Sequence, residues 1–128
     1  MRISIIQSSL YWENPDANRA MFAEKLLTLR GNTDLVVLPE MFSTGFSMNA
    51  EALAEPMNGP TMDWLRDISQ DLNAAITGSF ICVEAGQYFN RLIFMRPDGI
   101  IQTAFSVSIS FQSAWRNSPG RTKVKIKS

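Results

Sequence analysis

Short apolar runs alternate with amphipathic segments along the first half of the chain. Arg2 to Ser8 is short and rich in isoleucine, which predicts a strand, and Leu35 to Leu38 is a continuous apolar run, as a strand covered on both faces requires. Between them, Asn14 is a candidate N-cap and Pro15 a first helical residue, and apolar residues recur at helical spacing up to Gly31. This order predicts a βαβ unit with two parallel strands.

The same pattern continues to about residue 105. Gly59-Pro60-Thr61 predicts the start of a second helix, whose apolar face should pack on the sheet. Residues 75–83 and 88–95 predict two strands joined by a hairpin turn, and the turn Arg96-Pro97-Asp98-Gly99 predicts a return to a strand at residues 100–105. Residues 106–113 still alternate like a strand, but the chain from 114 to 128 has no stable period. We therefore expect a single α/β domain with a divergent end.

Composition restricts the chemistry more than it restricts the fold. The twelve basic and twelve acidic side chains cancel, so no net field favours nucleic acid or a membrane, and we expect neither as a partner. The chain has no histidine and one cysteine, Cys82, so catalysis would need carboxylate, lysine, cysteine, serine or tyrosine. We expect no metal and no cofactor. No stretch approaches the roughly 20 apolar residues of a membrane span, so the cytoplasm is the expected location.

The stretch DLVVLPEMFSTGF, residues 34–46, carries the strongest candidate chemistry. Pro39 ends the buried strand, so Glu40 is expected at the carboxyl edge of the sheet, where open α/β sheets form ligand crevices. Met41, Phe42 and Phe46 would surround this carboxylate with apolar surface and disfavour its charged form, which suits a general base. The alternative is that Glu40 merely ends a strand in contact with water.

This stretch closely resembles the first catalytic block of the nitrilase superfamily, the carbon-nitrogen hydrolases, and within it the omega-amidase branch. Further segments resemble the family in the same order, among them RISIIQ near the N-terminus, the Gly59-Pro60-Thr61 helix, ITGSFI, YFNRLIF and the turn RPDG. The resemblance covers residues 1 to about 105. It implies an α/β fold that is the N-terminal part of the nitrilase-type αββα four-layer sandwich.

The resemblance also implies a mechanism and its residues. Family members hydrolyse amides with a Glu-Lys-Cys triad through a thioester, and the omega-amidase branch acts on the terminal amide of small keto-acid amides such as 2-oxoglutaramate. Glu40 matches the general base, and Phe42 and Phe46 match the substrate-binding pocket wall. Asn90 lies in the family's asparagine-arginine strand, where a structural role is expected. The implied partners are a small-molecule amide and, for the intact family, further copies of the same chain.

After Phe105 the resemblance stops. The family has its lysine in a motif resembling Tyr-Asp-Lys-Arg-His-Leu-Phe, whereas this chain reads Phe105-Ser106-Val107-Ser108-Ile109, and no lysine occurs between Lys25 and Lys123. The nucleophilic cysteine has no counterpart either. Cys82 lies in a predicted strand, in a position unrelated to the nucleophile, and is expected to be a small packed hydrophobe.

Two interpretations of this loss remain. With suitable codons for residues 107–111, a neighbouring reading frame gives Lys-His-Leu-Phe, so residues 106–128 are predicted to be out-of-frame translation. The chain would then comprise a partial carbon-nitrogen hydrolase domain, 1–105, and a divergent tail, 106–128, and would be inactive alone. The alternative function is a non-catalytic α/β interaction module derived from the same fold.

Overall fold

A computed structural model describes residues 1–110 and a strand at 123–127. These described residues form three helices and six strands. In order they are β1 Ile3–Ile5, α1 Pro15–Leu27, β2 Leu35–Val37, α2 Ala50–Leu53, α3 Pro60–Leu72, β3 Ala75–Glu84, β4 Gln87–Met95, β5 Ile101–Ser110 and β6 Lys123–Lys127. Apart from the short α2 and from β6, these are the predicted elements.

The six strands form one sheet in sequence order, from β1 to β6. Strands β1, β2 and β3 are parallel to one another, and the pairs β3–β4, β4–β5 and β5–β6 are antiparallel. The predicted βαβ unit is therefore confirmed, with α1 as its crossover helix and the C-terminal end of β2 at the same edge of the sheet as the end of β1. Strands β3, β4 and β5 all extend past this edge, and the turn between β4 and β5 lies at the opposite edge.

Both long helices begin as their sequences predict. The side chain of Asn14 accepts a hydrogen bond from the backbone N–H of Ala17, and Pro15 is the first residue of α1. Pro60 likewise begins α3, and this helix ends at Asn73, whose backbone is left-handed with φ of 50°. Asparagine adopts this conformation more readily than most residues, so it can end a helix where glycine is usual.

One hydrophobic core lies between these helices and one face of the sheet. Among its fully buried members are residues of α1, of α3 and of alternate strand positions: Phe22, Leu26, Met62, Leu65, Val36, Ile76, Phe80, Cys82, Ile93 and Met95. Every second strand residue therefore points toward the helices, as the two-residue period of a strand requires. We call this the helix face of the sheet and the opposite one the open face.

The open face carries apolar side chains that remain in contact with solvent. Ile3 and Ile5 of β1 are 56% and 70% exposed, and Leu92 and its cross-strand neighbour Phe105 are 43% and 48% exposed. Where β3, β4 and β5 extend beyond the end of β2, a small cluster of Met41, Ala50 and Ile81 covers the same face. The described residues thus form a helix layer and a sheet layer, and the αββα sandwich places its second sheet against such an open face.

The predicted boundary at residue 105 falls inside a strand. β5 continues without interruption to Ser110 and pairs with β4 over this whole stretch, and β6 pairs with its last five residues. The rest of the predicted tail, 111–122 and 128, lies outside the described residues. The division into 1–105 and 106–128 therefore stays a prediction. No described helix is long and apolar enough to cross a membrane.

Candidate active site

The turn after β2 places Glu40 at the edge of the sheet. Pro39 ends the strand, and Met41 adopts a left-handed backbone with φ of 50°, a conformation that costs a non-glycine residue free energy. Ser79 of β3 stabilises this turn, because its buried Oγ accepts a hydrogen bond of 2.8 Å from the Met41 backbone N–H. The direction of the Glu40 side chain is thus set by its own strand and by the neighbouring one.

Asn90 of β4 holds the carboxylate of Glu40. Its side-chain amide Nδ2–H donates a hydrogen bond of 2.7 Å to Glu40 Oε1, between residues fifty positions apart in the sequence. Asn90 faces the open side of the sheet, since Phe89 and Arg91, its neighbours in the strand, alternate to the helix face. The candidate general base therefore lies over the open face.

A cavity of about 360 Å³ opens beside this pair. Its walls come from the turn after β2, the following loop, β4 and β5. The lining residues are Glu40, Met41, Phe46, Ser47, Met48, Asn90, Val107 and Ile109. A mostly apolar cavity of this volume with a few polar groups is typical of a site for a small molecule.

The predicted apolar surround of Glu40 is only partly correct. Met41 and Phe46 do line the same cavity, but Glu40 itself is exposed to solvent and Phe46 is 66% exposed. The carboxylate is therefore held by a hydrogen bond rather than enclosed by apolar side chains. The role of Phe46 in binding a substrate stays a prediction, and its place on the cavity wall is compatible with it.

Phe42 does not surround the carboxylate, contrary to the expectation from the sequence. It is fully buried and packs edge-on against Phe22 of α1 at 5.9 Å between ring centroids, and it lies 5.6 Å from the ring of Trp64 of α3. Gly78 of β3 permits this packing, because a Cβ there would lie 3.0 Å from the Phe42 ring. Phe42 is not among the described residues that line the cavity, and its predicted part in substrate binding remains untested.

Val107 occupies the wall of the cavity at the position where the resemblance expects lysine. The resemblance implies this position, because the family motif Tyr-Asp-Lys-Arg-His-Leu-Phe takes the place of the seven residues from Phe105 to Phe111. Val107 of β5 is directly opposite Asn90 of β4 in the antiparallel ladder. Position 107 is thus one strand away from the residue that holds Glu40, and its side chain here carries no charge.

Cys82 is part of the core, as the sequence predicts. It is fully buried on the helix face, whereas Asn90 faces the open side, so the sheet separates the thiol from the cavity. Burial raises the pKa of the Cys82 thiol, and the nearby Arg91 opposes this shift without cancelling it. A thiol with a raised pKa forms little of the nucleophilic thiolate.

We therefore expect Cys82 to be unreactive in the folded chain. Its modification by a water-soluble aromatic disulfide at pH 8 should be at least about a hundredfold slower in buffer than in guanidinium chloride, because reaction requires the core to open. The Cys82→Ala variant with Ser9→Cys supplies an exposed thiol as the control, which should react equally fast in both solvents. Equal rates for Cys82 in both solvents would contradict its burial.

Two contacts of the Glu40 turn escape sequence reasoning. Asn90 and Ser79 reach the Glu40 turn only because strands β2, β3 and β4 lie side by side, and no local pattern connects them. The one available signal is an amide side chain inside a predicted strand, as in YFNRLIF. Within 1–110, no three histidine, cysteine, aspartate or glutamate side chains come together as metal ligands would.

Comparisons with known proteins agree with this fold. The model of the carbon-nitrogen hydrolase family matches residues 2–125. The omega-amidase YafV of Yersinia enterocolitica is 38% identical over 101 residues, and the one of Escherichia coli K12 is 32% identical over the same length. Each match covers 79% of this chain and 39% of the relative.

A solved structure gives the same result. A CN-hydrolase superfamily protein from Xanthomonas campestris, crystallised with an arsenic adduct in its active site, superimposes with a TM-score of 0.78 and 39% identity over 95% of this chain and 45% of that one. The chain belongs to the carbon-nitrogen hydrolase family. It spans less than half the length of these relatives, and the predicted α/β fold of this family is confirmed over that part.

Proposed function

We propose that this chain carries the general-base half of an omega-amidase-type active site, with Glu40 as the base. The observation that supports this most directly is the Glu40 carboxylate, hydrogen-bonded by Asn90 and facing a cavity of small-molecule size. The relatives from Yersinia enterocolitica and Escherichia coli carry the name omega-amidase. Their shared segment includes the turn that presents Glu40.

In the proposed reaction, a cysteine thiolate attacks the carbon of a terminal amide and forms a tetrahedral intermediate. Glu40 takes the thiol proton and gives it to the leaving nitrogen, so ammonia departs and a thioester remains. Glu40 then removes a proton from water, which attacks the thioester and releases the carboxylic acid and the thiol. A lysine ammonium stabilises the oxyanion in both steps.

The proposed substrates are small keto-acid amides such as 2-oxoglutaramate, and the proposed location is the cytoplasm. The described part of the cavity is mostly apolar, with Phe46, Met41 and Met48 beside Glu40. Such a wall suits the short methylene chain between the amide and the keto acid. A cationic group for the acid end is absent from the described lining of the cavity, so we assign that contact to the part of the fold that this chain does not contain.

The lysine and the cysteine are the missing parts of this proposal. Position 107 is valine, and the single cysteine lies in the core on the other side of the sheet. We propose that a shift of the reading frame after Phe105 accounts for both losses. Sequencing the gene tests this directly: an uninterrupted frame with no family-like continuation in another frame would refute it.

The test of function uses a version of the chain whose reading frame is restored after Phe105. It should release ammonia from 2-oxoglutaramate, and its Glu40→Gln variant should lose about 10²- to 10⁴-fold in kcat, because glutamine cannot accept the proton. Glutamine keeps the size of the side chain and can still accept the hydrogen bond from Asn90, so it separates chemistry from packing. Full turnover by the Glu40→Gln variant would reject Glu40 as the base.

A further inference from the structure

Asn90 makes one side-chain hydrogen bond in the described structure, and it makes it to Glu40. Its Nδ2–H donates to the carboxylate at 2.7 Å. Its other polar atom, Oδ1, is buried and has no hydrogen-bond partner among the described residues. A buried acceptor without a partner has lost its hydrogen bonds to water and forms none in the protein, which lowers the free energy of unfolding.

Asn18 shows what a structural asparagine looks like in the same molecule. It is fully buried, its Oδ1 accepts from the Tyr11 backbone N–H, and its Nδ2 donates to the carbonyls of Tyr11 and Ser43. Each of its polar groups is therefore used to connect the loop before α1 to the loop after Glu40. Asn90 makes no such connection between backbone segments.

We propose that Asn90 is a positioning residue, which fixes the Glu40 carboxylate over the cavity at a cost in stability. The proposal concerns the general base named above and so rests on the proposed function. A free glutamate side chain has several rotamers, and a carboxylate exposed to water gains little from any one of them. The hydrogen bond from Asn90 selects one, and β4 holds Asn90 rigidly because it pairs on both sides with β3 and β5.

This interpretation replaces the structural role expected from the sequence, and the two make opposite predictions about stability. Replacing Asn90 by leucine removes the unpaired buried oxygen and keeps the branched shape of the side chain. If Asn90 positions Glu40, the Tm of the Asn90→Leu variant should either stay within roughly 2 °C of the Tm of the unaltered chain or rise above it. The matched Asn18→Leu variant removes satisfied hydrogen bonds and should lower Tm clearly. A loss in Asn90→Leu as large as that in Asn18→Leu would overturn the proposal.

A second measurement reports the hydrogen bond itself in the 128-residue chain. The ¹⁵N-labelled side-chain amide of Asn90, assigned by its disappearance in Asn90→Leu, should change its chemical shift when acid protonates Glu40. The change should vanish in Glu40→Gln, and the Asn18 amide, which faces only carbonyls, should not respond in either chain. An Asn90 amide that behaves identically with and without the Glu40 carboxylate would overturn the proposal.

The kinetic consequence is measured in the frame-restored chain. Asn90→Leu should lower kcat on the order of a hundredfold, because a misplaced base loses the alignment that catalysis requires, and should leave KM within about twofold. A raised KM at unchanged kcat would make Asn90 a substrate-binding residue and refute the positioning role. If the restored chain shows no turnover at all, the proposed function fails, and the Tm and amide measurements still decide the role of Asn90.

Discussion

The 128-residue chain is expected to release no ammonia from 2-oxoglutaramate. The proposed mechanism needs a thiolate at the reacting carbon, and the only thiol of the chain is buried in the core, across the sheet from the cavity. It also needs a cation at the oxyanion, and no lysine occurs between Lys25 and Lys123. Loss of the nucleophile alone lowers kcat by roughly 10⁶-fold in a hydrolase whose catalytic groups act together.

The measurement compares ammonia release by this chain, by its Glu40→Gln variant and by the frame-restored chain under the same conditions. The first two should be equal to each other and to buffer, and the third should exceed them by several orders of magnitude. Turnover by the unaltered chain would refute the expected inactivity. If that turnover persisted in Cys82→Ala, a nucleophile other than cysteine would have to be found, and if it persisted in Glu40→Gln, the cavity at Glu40 would not be the site.

The helices and the strand order follow from local signals, which is why the sequence could predict them. Asn14 and Pro15 begin α1 because a cap and a proline satisfy the first turn of any helix, whatever lies around it. The parallel pairing of β1 and β2 follows from the short connections, since a strand, a crossover helix and a second strand have one common arrangement. Neither inference requires knowledge of distant contacts.

The site depends on contacts that no local signal contains. Glu40 could be placed at the edge of the sheet because Pro39 ends a buried strand. The resemblance singles out Asn90, but its contact with Glu40 could not be predicted, because the two residues meet only through the pairing of three strands. The sequence predicts Phe42 in the apolar surround of the Glu40 carboxylate, whereas its ring is buried in the core. The left-handed turn at Met41 redirects the chain between them, and an alternation rule cannot foresee a turn of that kind.

Phe42→Ala should destabilise the chain more than any change on the cavity wall. The ring is fully buried between α1, α3 and β3, and it contacts Phe22 and Trp64. Its removal leaves a cavity in a packed core and should lower the free energy of unfolding by about 3–5 kcal/mol. The free energy of unfolding of a small domain is only about 5–15 kcal/mol in total, so the variant should lose much of its cooperative unfolding transition.

Phe46→Ala is the matched control, since it removes the same ring from a side chain that is 66% exposed. Its free energy of unfolding should change by no more than about 0.5 kcal/mol. Urea denaturation followed by circular dichroism measures both variants. If Phe42→Ala lost as little free energy of unfolding as is expected for Phe46→Ala, Phe42 would not be a core residue in solution. A stable Phe42→Ala chain would favour the predicted position of Phe42 on the pocket wall, because only a ring outside the core can be removed without leaving a cavity behind.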